Sequence, residues 1–185
     1  EKHRAIMDVL DARIAGDFKA MGYDDSDGPE DDGDRDQYRE FQTAGGTIAV
    51  IPVHGILGKH LSSMEMACGG CSLDTLQSQL KTALASPRIS KVLLDVNSPG
   101  GTVTGTPETA RLIAAVNAVK PVWAFTDADC CSGAMWLASQ CARVYSTESA
   151  ELGSVGVRMV LLGYTRQLEE EGVKVNAIAS GKYKL

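Results

Sequence analysis

The sequence predicts an α/β fold built on a largely parallel sheet. Short runs of β-branched apolar residues alternate with segments of helical periodicity, which is typical of strands joined by crossover helices. A glycine-rich turn follows one of these runs directly, at 97–101. The chain has 185 residues and is 44% hydrophobic. This composition is sufficient for one α/β domain with a proper core.

The chain is expected to begin with a helix and a linker. Apolar residues recur at nearly helical spacing over 3–20, so 1–22 is assigned to an N-terminal amphipathic helix. Residues 24–36 form an acidic run of low complexity, and we assign 23–45 to a flexible linker. The main domain is expected at 46–185.

Within this domain, strands and helices are predicted in alternation. Apolar runs of strand length and composition predict strands at 47–53, 91–96, 121–126, 142–146 and 173–179, with a further extended segment at 155–160. Helical periodicity predicts helices at 74–85, 106–119, 132–140 and 164–171. Ser72 or Asp74 is expected to cap the first of these helices, and Pro107 suits the first turn of the second.

Charge and cysteine content narrow the function classes. The net charge of −6 gives no support to a nucleic-acid partner. No apolar run is long enough to span a membrane. Five cysteines, two of them adjacent, are a poor disulfide framework and favour a reducing compartment. Cys68 and Cys71 have the spacing of a redox pair or half a metal site, but nothing completes the site, so neither cofactor nor metal is expected.

Two motifs at the carboxyl ends of predicted strands carry the candidate chemistry. Ser132 opens a predicted helix, and the turn 98–101 (Ser-Pro-Gly-Gly) follows the strand at 91–96. Taken singly, they are a helix N-cap and a tight turn. Taken together, they offer a hydroxyl nucleophile beside exposed backbone N–H groups, as acyl transfer requires. An oxyanion hole made by the Gly101 N–H, assisted by the Gly133 N–H, is therefore one open interpretation.

A serine nucleophile also needs a base. All three histidines, His3, His54 and His60, precede Ser132, so a histidine following the serine is excluded within this sequence. A lysine can serve instead if burial keeps it neutral. The lysines that follow the serine are Lys174, Lys182 and Lys184.

Four segments of the chain carry a family resemblance. They read Ile48-Ala49-Val50-Ile51-Pro52-Val53-x-Gly55; Leu94-Asp95-x-x-Ser98-Pro99-Gly100-Gly101; Cys131-Ser132-Gly133-Ala134-x-x-Leu137-Ala138; and Gly153-Ser154-Val155-Gly156-Val157 followed by Ser180-Gly181-x-x-Lys184. In this order and spacing they resemble the signal peptide peptidase A (protease IV) family of serine peptidases. The similarity is strongest to its phage branch, the head maturation or capsid assembly proteases, and covers about residues 46–185.

The resemblance implies a ClpP/crotonase-like fold of repeated β-β-α units and a Ser–Lys dyad. Ser132 matches the nucleophile. Lys184, 52 residues later in a Ser-Gly-x-x-Lys pattern, matches the base. Ser154 matches a helper serine that hydrogen-bonds the lysine. The backbone N–H of Gly101, with that of Gly133, would form the oxyanion hole.

The substrate-binding residues expected from these segments are Gly100, Thr102, Val103, Val155, Gly156 and Val157. They lie in extended stretches that would flank a substrate strand by β-augmentation, with a small or apolar residue before the scissile bond. The family often has Gly-Gly-Tyr-Tyr after its nucleophile, whereas this chain has Gly-Ala-Met-Trp at 133–136. We expect this difference to change the shape of the substrate pocket but not the chemistry.

The resemblance thus implies a serine endopeptidase that cleaves scaffold or other phage head proteins. It would work as a ring-like homo-oligomer in the host cytoplasm or the prohead. A bacterial-type peptidase that degrades cleaved signal peptides is one alternative. A catalytically silent assembly domain is another. A crotonase-like acyl-CoA enzyme, using acids such as Glu108, Asp127 or Asp129, is a third.

Overall fold

The structure, a computed structural model, describes residues 38–43 and 45–174. The strands are β1 Arg39–Thr43, β2 Gly46–His54, β3 Ile56–Gly58, β4 Gly70–Ser72, β5 Ile89–Asn97, β6 Val122–Thr126, β7 Asp129–Cys131, β8 Arg143–Ser146 and β9 Glu151–Gly153. The helices are α1 Ser63–Ala67, α2 Leu73–Ala85, α3 Thr106–Val119, α4 Gly133–Ala138 and α5 Thr165–Glu170.

The main sheet has five strands in the order β1-β2-β5-β6-β8. β2, β5, β6 and β8 pair in parallel, with Val50 opposite Leu93 and Leu94 opposite Ala124. β1 runs antiparallel to β2 at one edge. The predicted α/β fold with a largely parallel sheet is confirmed.

Short strands follow the long ones and lead into helices. β3 follows β2 and pairs with β4, while β7 follows β6 and pairs with β9. After β5, Ser98 and Gly101 make isolated bridges to Cys130 and Leu57 in place of a short strand, and α3 follows. The predicted succession of β-β-α units is therefore present, and it brings the chain after β5 next to the chain after β6.

The core has two parts because alternate residues of a strand face opposite sides of the sheet. On one side, Val92 and Leu94 of β5 join a large cluster with the inner faces of α2 and α3, including Leu76 and Ile113. On the other side, Leu93 belongs to a smaller cluster that also contains the following residues: Ile48, Val50, Trp123 and Phe125. Full burial of one such side chain contributes about 1.5–3 kcal/mol, so the two clusters hold the sheet that carries the site.

Most predicted elements of the main domain are confirmed within one or two residues. The predicted strands at 47–53, 91–96, 121–126 and 142–146 are β2, β5, β6 and β8, and the four predicted helices are α2 to α5. Ser72 caps α2, since its hydroxyl accepts a hydrogen bond from the Thr75 N–H. The segment 155–160 has no regular secondary structure, and its residues are exposed. The predicted strand at 173–179 lies outside the described residues except for its first two.

β1 lies inside the segment assigned to a linker. Arg39–Thr43 pair with β2, and Phe41 packs against the smaller cluster. The last residues of that segment therefore belong to the sheet. Residues 1–37, which include the predicted helix and the acidic run, lie outside the described residues, as does residue 44.

Candidate active site

Ser132 stands at a strained turn between β7 and α4. Its φ of 52° and ψ of −119° lie in a region that L side chains rarely adopt. Such a conformation costs about 1–3 kcal/mol and persists only where neighbours impose it. Two hydrogen bonds hold it in place. The Ser132 N–H donates to the Gly153 carbonyl at 2.8 Å, and the Cys131 N–H donates to the Ser98 carbonyl at 3.0 Å.

The Ser132 hydroxyl is not a helix cap. It precedes α4, but its side chain makes no capping hydrogen bond to the first turn. An N-cap serine would accept from the second or third N–H of the helix. The half-buried hydroxyl instead lines a pocket. The interpretation of Ser132 as an ordinary helix N-cap therefore loses its main support.

The glycine turn after β5 is held against β3 like an additional strand. The Leu57 N–H donates to the Gly100 carbonyl at 2.8 Å, and the Thr102 N–H donates to the Leu57 carbonyl at 2.9 Å. In a parallel ladder, the residue between two such bonds directs its own N–H to the opposite side. The Gly101 N–H consequently points away from β3.

Ser98 fixes the start of this turn from inside the protein. It is fully buried, its hydroxyl donates to the Gly55 carbonyl at 2.6 Å, and it accepts from the Gly100 N–H at 3.2 Å. The Gly55 N–H in turn donates to the Asn97 carbonyl at 2.8 Å. The turn is thus tied to β3 by backbone bonds and to Gly55, the residue just before β3, by a side-chain bond.

The glycine turn and the Ser132 turn meet directly. A Cβ atom on Gly100 would lie 2.9 Å from the Gly133 nitrogen, and one on Gly133 would lie 3.7 Å from the Gly101 nitrogen. Within residues 38–43 and 45–174, neither the Gly101 N–H nor the Gly133 N–H donates to a protein acceptor. Two N–H groups without an acceptor in the described part of the chain therefore lie near the serine, and such an arrangement stabilises a developing oxyanion.

A pocket of about 620 Å³ opens over this junction. Its walls contain Ser132 and the two glycines predicted to form the oxyanion hole, Gly101 and Gly133. They also contain five of the six predicted substrate-binding residues: Thr102, Val103, Val155, Gly156 and Val157. Gly100, the sixth, is buried and contacts Ser132. The structure thus brings together segments about 30 and 20 residues from the serine in sequence.

Lys184, the candidate base, lies outside the described residues, as does Lys182. Lys174 is described, and it lines a separate pocket with Tyr164 and Leu168. Ser154, the predicted helper serine, is exposed and has a φ of 50°. It directly follows Gly153, whose carbonyl accepts from the Ser132 N–H. The role of Lys184 therefore remains an expectation from the resemblance.

The described histidines and the acids considered as alternative catalytic groups do not line the Ser132 pocket. His54 pairs with the buried Asp95 at 3.1 Å, and His60 pairs with Asp74 at 2.6 Å. Neither histidine lines the pocket. The same is true of the acids on which a crotonase-like enzyme would depend: Glu108, Asp127 and Asp129. These placements give no support to a histidine base or to acyl-CoA chemistry at this pocket.

The cysteine pair at 68 and 71 is not arranged as a reactive site. Cys68 is exposed, whereas Cys71 is buried, and burial raises the pKa of the Cys71 thiol to about 11. A thiol with that pKa is protonated at neutral pH and is therefore a poor nucleophile or metal ligand. Within the described part of the chain, no group of three or more His, Cys, Asp or Glu side chains is placed to hold a metal ion.

Several residues that line the pocket were not predicted from the sequence. Thr106 and Ser139 come from the start of α3 and the end of α4, while Met135 and Trp136 lie on α4. The last two occupy the positions where the departure from the family pattern had indicated a different pocket shape. Arg158 directly follows the predicted substrate-binding segment 155–157, and this adjacency is the sequence signal that could have identified it as a lining residue.

Comparisons with known proteins match this chain to peptidases and to phage head proteins. The model of Peptidase family S49 matches residues 114–185. The chain is 37% identical over 156 residues to capsid assembly protease C of Escherichia phage lambda, covering 84% of this chain and 35% of that protein. It is 38% identical to the head-tail preconnector protein GP5 of Enterobacteria phage P21, covering 75% and 28%. It is 31% identical to protease 4 of Salmonella typhi, covering 74% and 22%. The chain thus spans about a third or less of the length of these relatives.

Solved structures show more distant likenesses. An enoyl-CoA hydratase/isomerase family member aligns at 18% identity with a TM-score of 0.45, covering 63% of this chain and 49% of that one. The transcarboxylase 12S aligns at 12% identity with a TM-score of 0.46, covering 76% and 26%. The fold described above rests on strand order and register rather than on these partial overlaps.

Proposed function

This chain belongs to peptidase family S49, and from that membership we propose that it is a serine endopeptidase with Ser132 as nucleophile. One arrangement carries the proposal. The Ser132 hydroxyl makes no cap bond, and it lines a pocket beside the N–H groups of Gly101 and Gly133, which have no acceptor among the described residues. A helix cap and an ordinary turn would need neither feature.

In the proposed reaction, neutral Lys184 takes the proton of Ser132 as the serine oxygen attacks a peptide carbonyl. The N–H groups of Gly101 and Gly133 hold the oxyanion, and one such donor contributes about 3 kcal/mol to the transition state. The lysinium then protonates the leaving amine. A water molecule repeats the cycle and releases the acyl group from the serine. Ser154 orients the lysine.

The substrate would lie as an extended strand between 101–103 and 155–157. Both segments line the pocket, and such segments can take up a peptide by strand addition. Val103, Trp136 and Val155 make the surrounding wall apolar. The residue before the scissile bond is accordingly proposed to be small or apolar.

The proposed biological role is phage head maturation, with scaffold or other head proteins as substrates. Identities of 37% and 38% to two phage head proteins, against 31% to protease 4, support this branch over a bacterial-type peptidase. We place the enzyme in the host cytoplasm or the prohead, as a ring-like homo-oligomer. In the described part of the chain, no helix is long and apolar enough to cross a bilayer.

A fluorophosphonate probe on the complete chain tests the chemistry, with digestion of a candidate scaffold protein alongside. The wild type should be labelled and should cleave, whereas Ser132→Ala and Lys184→Ala should do neither. Lys174→Ala is the control and should behave as the wild type, because Lys174 lines a different pocket.

Three outcomes would overturn the proposal. Proteolysis that survives Ser132→Ala excludes the nucleophile. A pH–rate profile without an ionisation between about 7 and 9 excludes a lysine base. Absence of both labelling and cleavage in the wild type would favour a silent assembly domain.

A further inference from the structure

Arg158 is the charged residue on the wall of the Ser132 pocket. The other lining residues that the structure describes, from Gly101 to Val157, are uncharged. The Arg158 side chain is exposed and makes no ion pair or hydrogen bond with another described residue. Arg111 and Arg166, by contrast, pair with glutamates of their own helices at 3.1 Å and 3.0 Å. The guanidinium at the pocket is thus available to a ligand.

We propose that Arg158 binds a carboxylate of the peptide substrate, so that the enzyme favours an acidic group at one position near the scissile bond. This inference rests on the peptidase function proposed above. A guanidinium presents a fork of N–H donors that matches a carboxylate in two parallel hydrogen bonds.

The chain path limits where the carboxylate binds. The Gly153 carbonyl holds the nucleophile's backbone, and Arg158 comes five residues later. An extended chain advances at most about 3.3–3.6 Å per residue, which places Arg158 within about 18 Å of Gly153. A substrate strand beside 155–158 advances by the same rise per residue. The carboxylate would therefore lie within about five residues of the scissile bond.

Two sources supply such a carboxylate. One is the side chain of an aspartate or glutamate within the substrate, and the other is the free C-terminus of a short peptide. Both present the same group to Arg158. Peptides with free and amidated C-termini distinguish them.

The experiment uses internally quenched peptides with alanine before the scissile bond. A single glutamate is moved through the second to the fifth positions on each side of that bond. A glutamine peptide and a lysine peptide match each glutamate peptide. The enzymes are the complete wild-type chain, Arg158→Gln, Arg158→Glu and the control Arg111→Gln, which removes the same charge from an exposed helix position.

At one position, or with a free C-terminus, the wild type should prefer the carboxylate about three- to tenfold in kcat/KM, mainly through KM, because the pair is exposed. Arg158→Gln should bring this preference close to one, and Arg158→Glu should favour lysine instead. About 1 M salt should reduce the wild-type preference, because it screens exposed charges. Arg111→Gln should behave as the wild type.

The inference is overturned if Arg158→Gln keeps the wild-type preference, or if Arg111→Gln loses it equally. It is also overturned if the wild type cleaves all peptides alike. In that case the peptidase function stands, provided that cleavage is lost in Ser132→Ala. If the wild type cleaves no peptide, the proposed function fails, and the role of Arg158 fails with it.

Discussion

Gly100 and Ser132 are so close that a Cβ atom on Gly100 would lie 2.7 Å from the Cβ of Ser132. The same atom would lie 2.8 Å from the Cys131 carbonyl oxygen, and Gly100 itself has a φ of 96°. Both sterics and backbone conformation therefore require glycine here. This contact sets the nucleophile against the turn that supplies the Gly101 N–H.

Gly100→Ala should consequently separate the two turns. We expect a loss of about 1–3 kcal/mol in the free energy of unfolding, since the added methyl group clashes and the left-handed φ is strained. Fluorophosphonate labelling should fall at least tenfold, because misplacing one oxyanion donor costs about that much or more.

Gly163→Ala is the matched control for this substitution. A Cβ on Gly163 meets nothing within 4 Å, and its backbone is not left-handed. Its labelling and denaturation midpoint should stay at wild-type values. Equal behaviour of the two alanine variants would contradict the close contact at Gly100.

The strained backbone of Ser132 predicts a difference in stability between two substitutions at this position. Ser132→Gly and Ser132→Ala both remove the nucleophile, and both should be inactive. Only glycine relieves the strain of a φ of 52°, which stabilises the folded state by about 1–3 kcal/mol. Glycine also gives the unfolded chain more conformational freedom, and this destabilises the folded state by about 0.5–1 kcal/mol. Ser132→Gly should therefore be about 1 kcal/mol more stable than Ser132→Ala in urea denaturation. An equal or lower stability would contradict the strain.

The sequence predicts the long elements because their signals are local. β5 is a mostly apolar and mostly buried run. α3 has Pro107 in its first turn, where proline is permitted, and ends before Pro121. β1 escapes prediction because Arg-Glu-Phe-Gln-Thr contains one large apolar residue, and its place depends on Phe41 packing against a cluster from distant strands.

The site is predictable in part for the same reason. Ser132, Gly101 and Gly133 stand in motifs that a reader of the sequence can recognise. Leu57 and Arg158 do not, because their roles depend on β3 lying beside the glycine turn and on the path of the chain after Gly153. Those placements come from tertiary packing.

Ser98 provides a test of how the oxyanion turn is held. Its buried hydroxyl bonds the Gly55 carbonyl and the Gly100 N–H. Ser98→Ala would leave both groups without this partner, which should lower the free energy of unfolding by about 1–3 kcal/mol. Labelling of Ser132 should slow as well, because the turn carrying Gly101 loosens.

Ser90→Ala is the control for Ser98. The Ser90 hydroxyl also bonds a carbonyl, that of Thr47 at 2.9 Å, but at the opposite end of β5. This variant should lose stability and keep the wild-type labelling rate. A labelling rate that falls equally in both variants would assign the effect of Ser98 to general stability rather than to the turn.

Two buried cysteines, Cys71 and Cys130, and the half-buried Cys141 predict a loss of stability in alkali. Burial raises the pKa of Cys71 and Cys130 to about 11 and that of Cys141 to about 12, from an ordinary value of 9.0. Above pH 9 the unfolded chain releases these protons while the folded chain retains them. The stabilisation is therefore complete below pH 9 and is lost as the pH rises through 11 to 12.

Chemical denaturation across this pH range measures the effect. The free energy of unfolding should fall between pH 9 and 12, by about 1–3 kcal/mol for each buried thiol. Cys71→Ala should make this fall shallower by one such contribution, although the smaller side chain lowers stability at every pH. Cys68→Ala is the control, since Cys68 is exposed, and it should leave the slope unchanged. If Cys71→Ala leaves the alkaline slope at its wild-type value, the Cys71 thiol is not what couples stability to pH, because a thiol that stays protonated only in the fold must contribute to that slope.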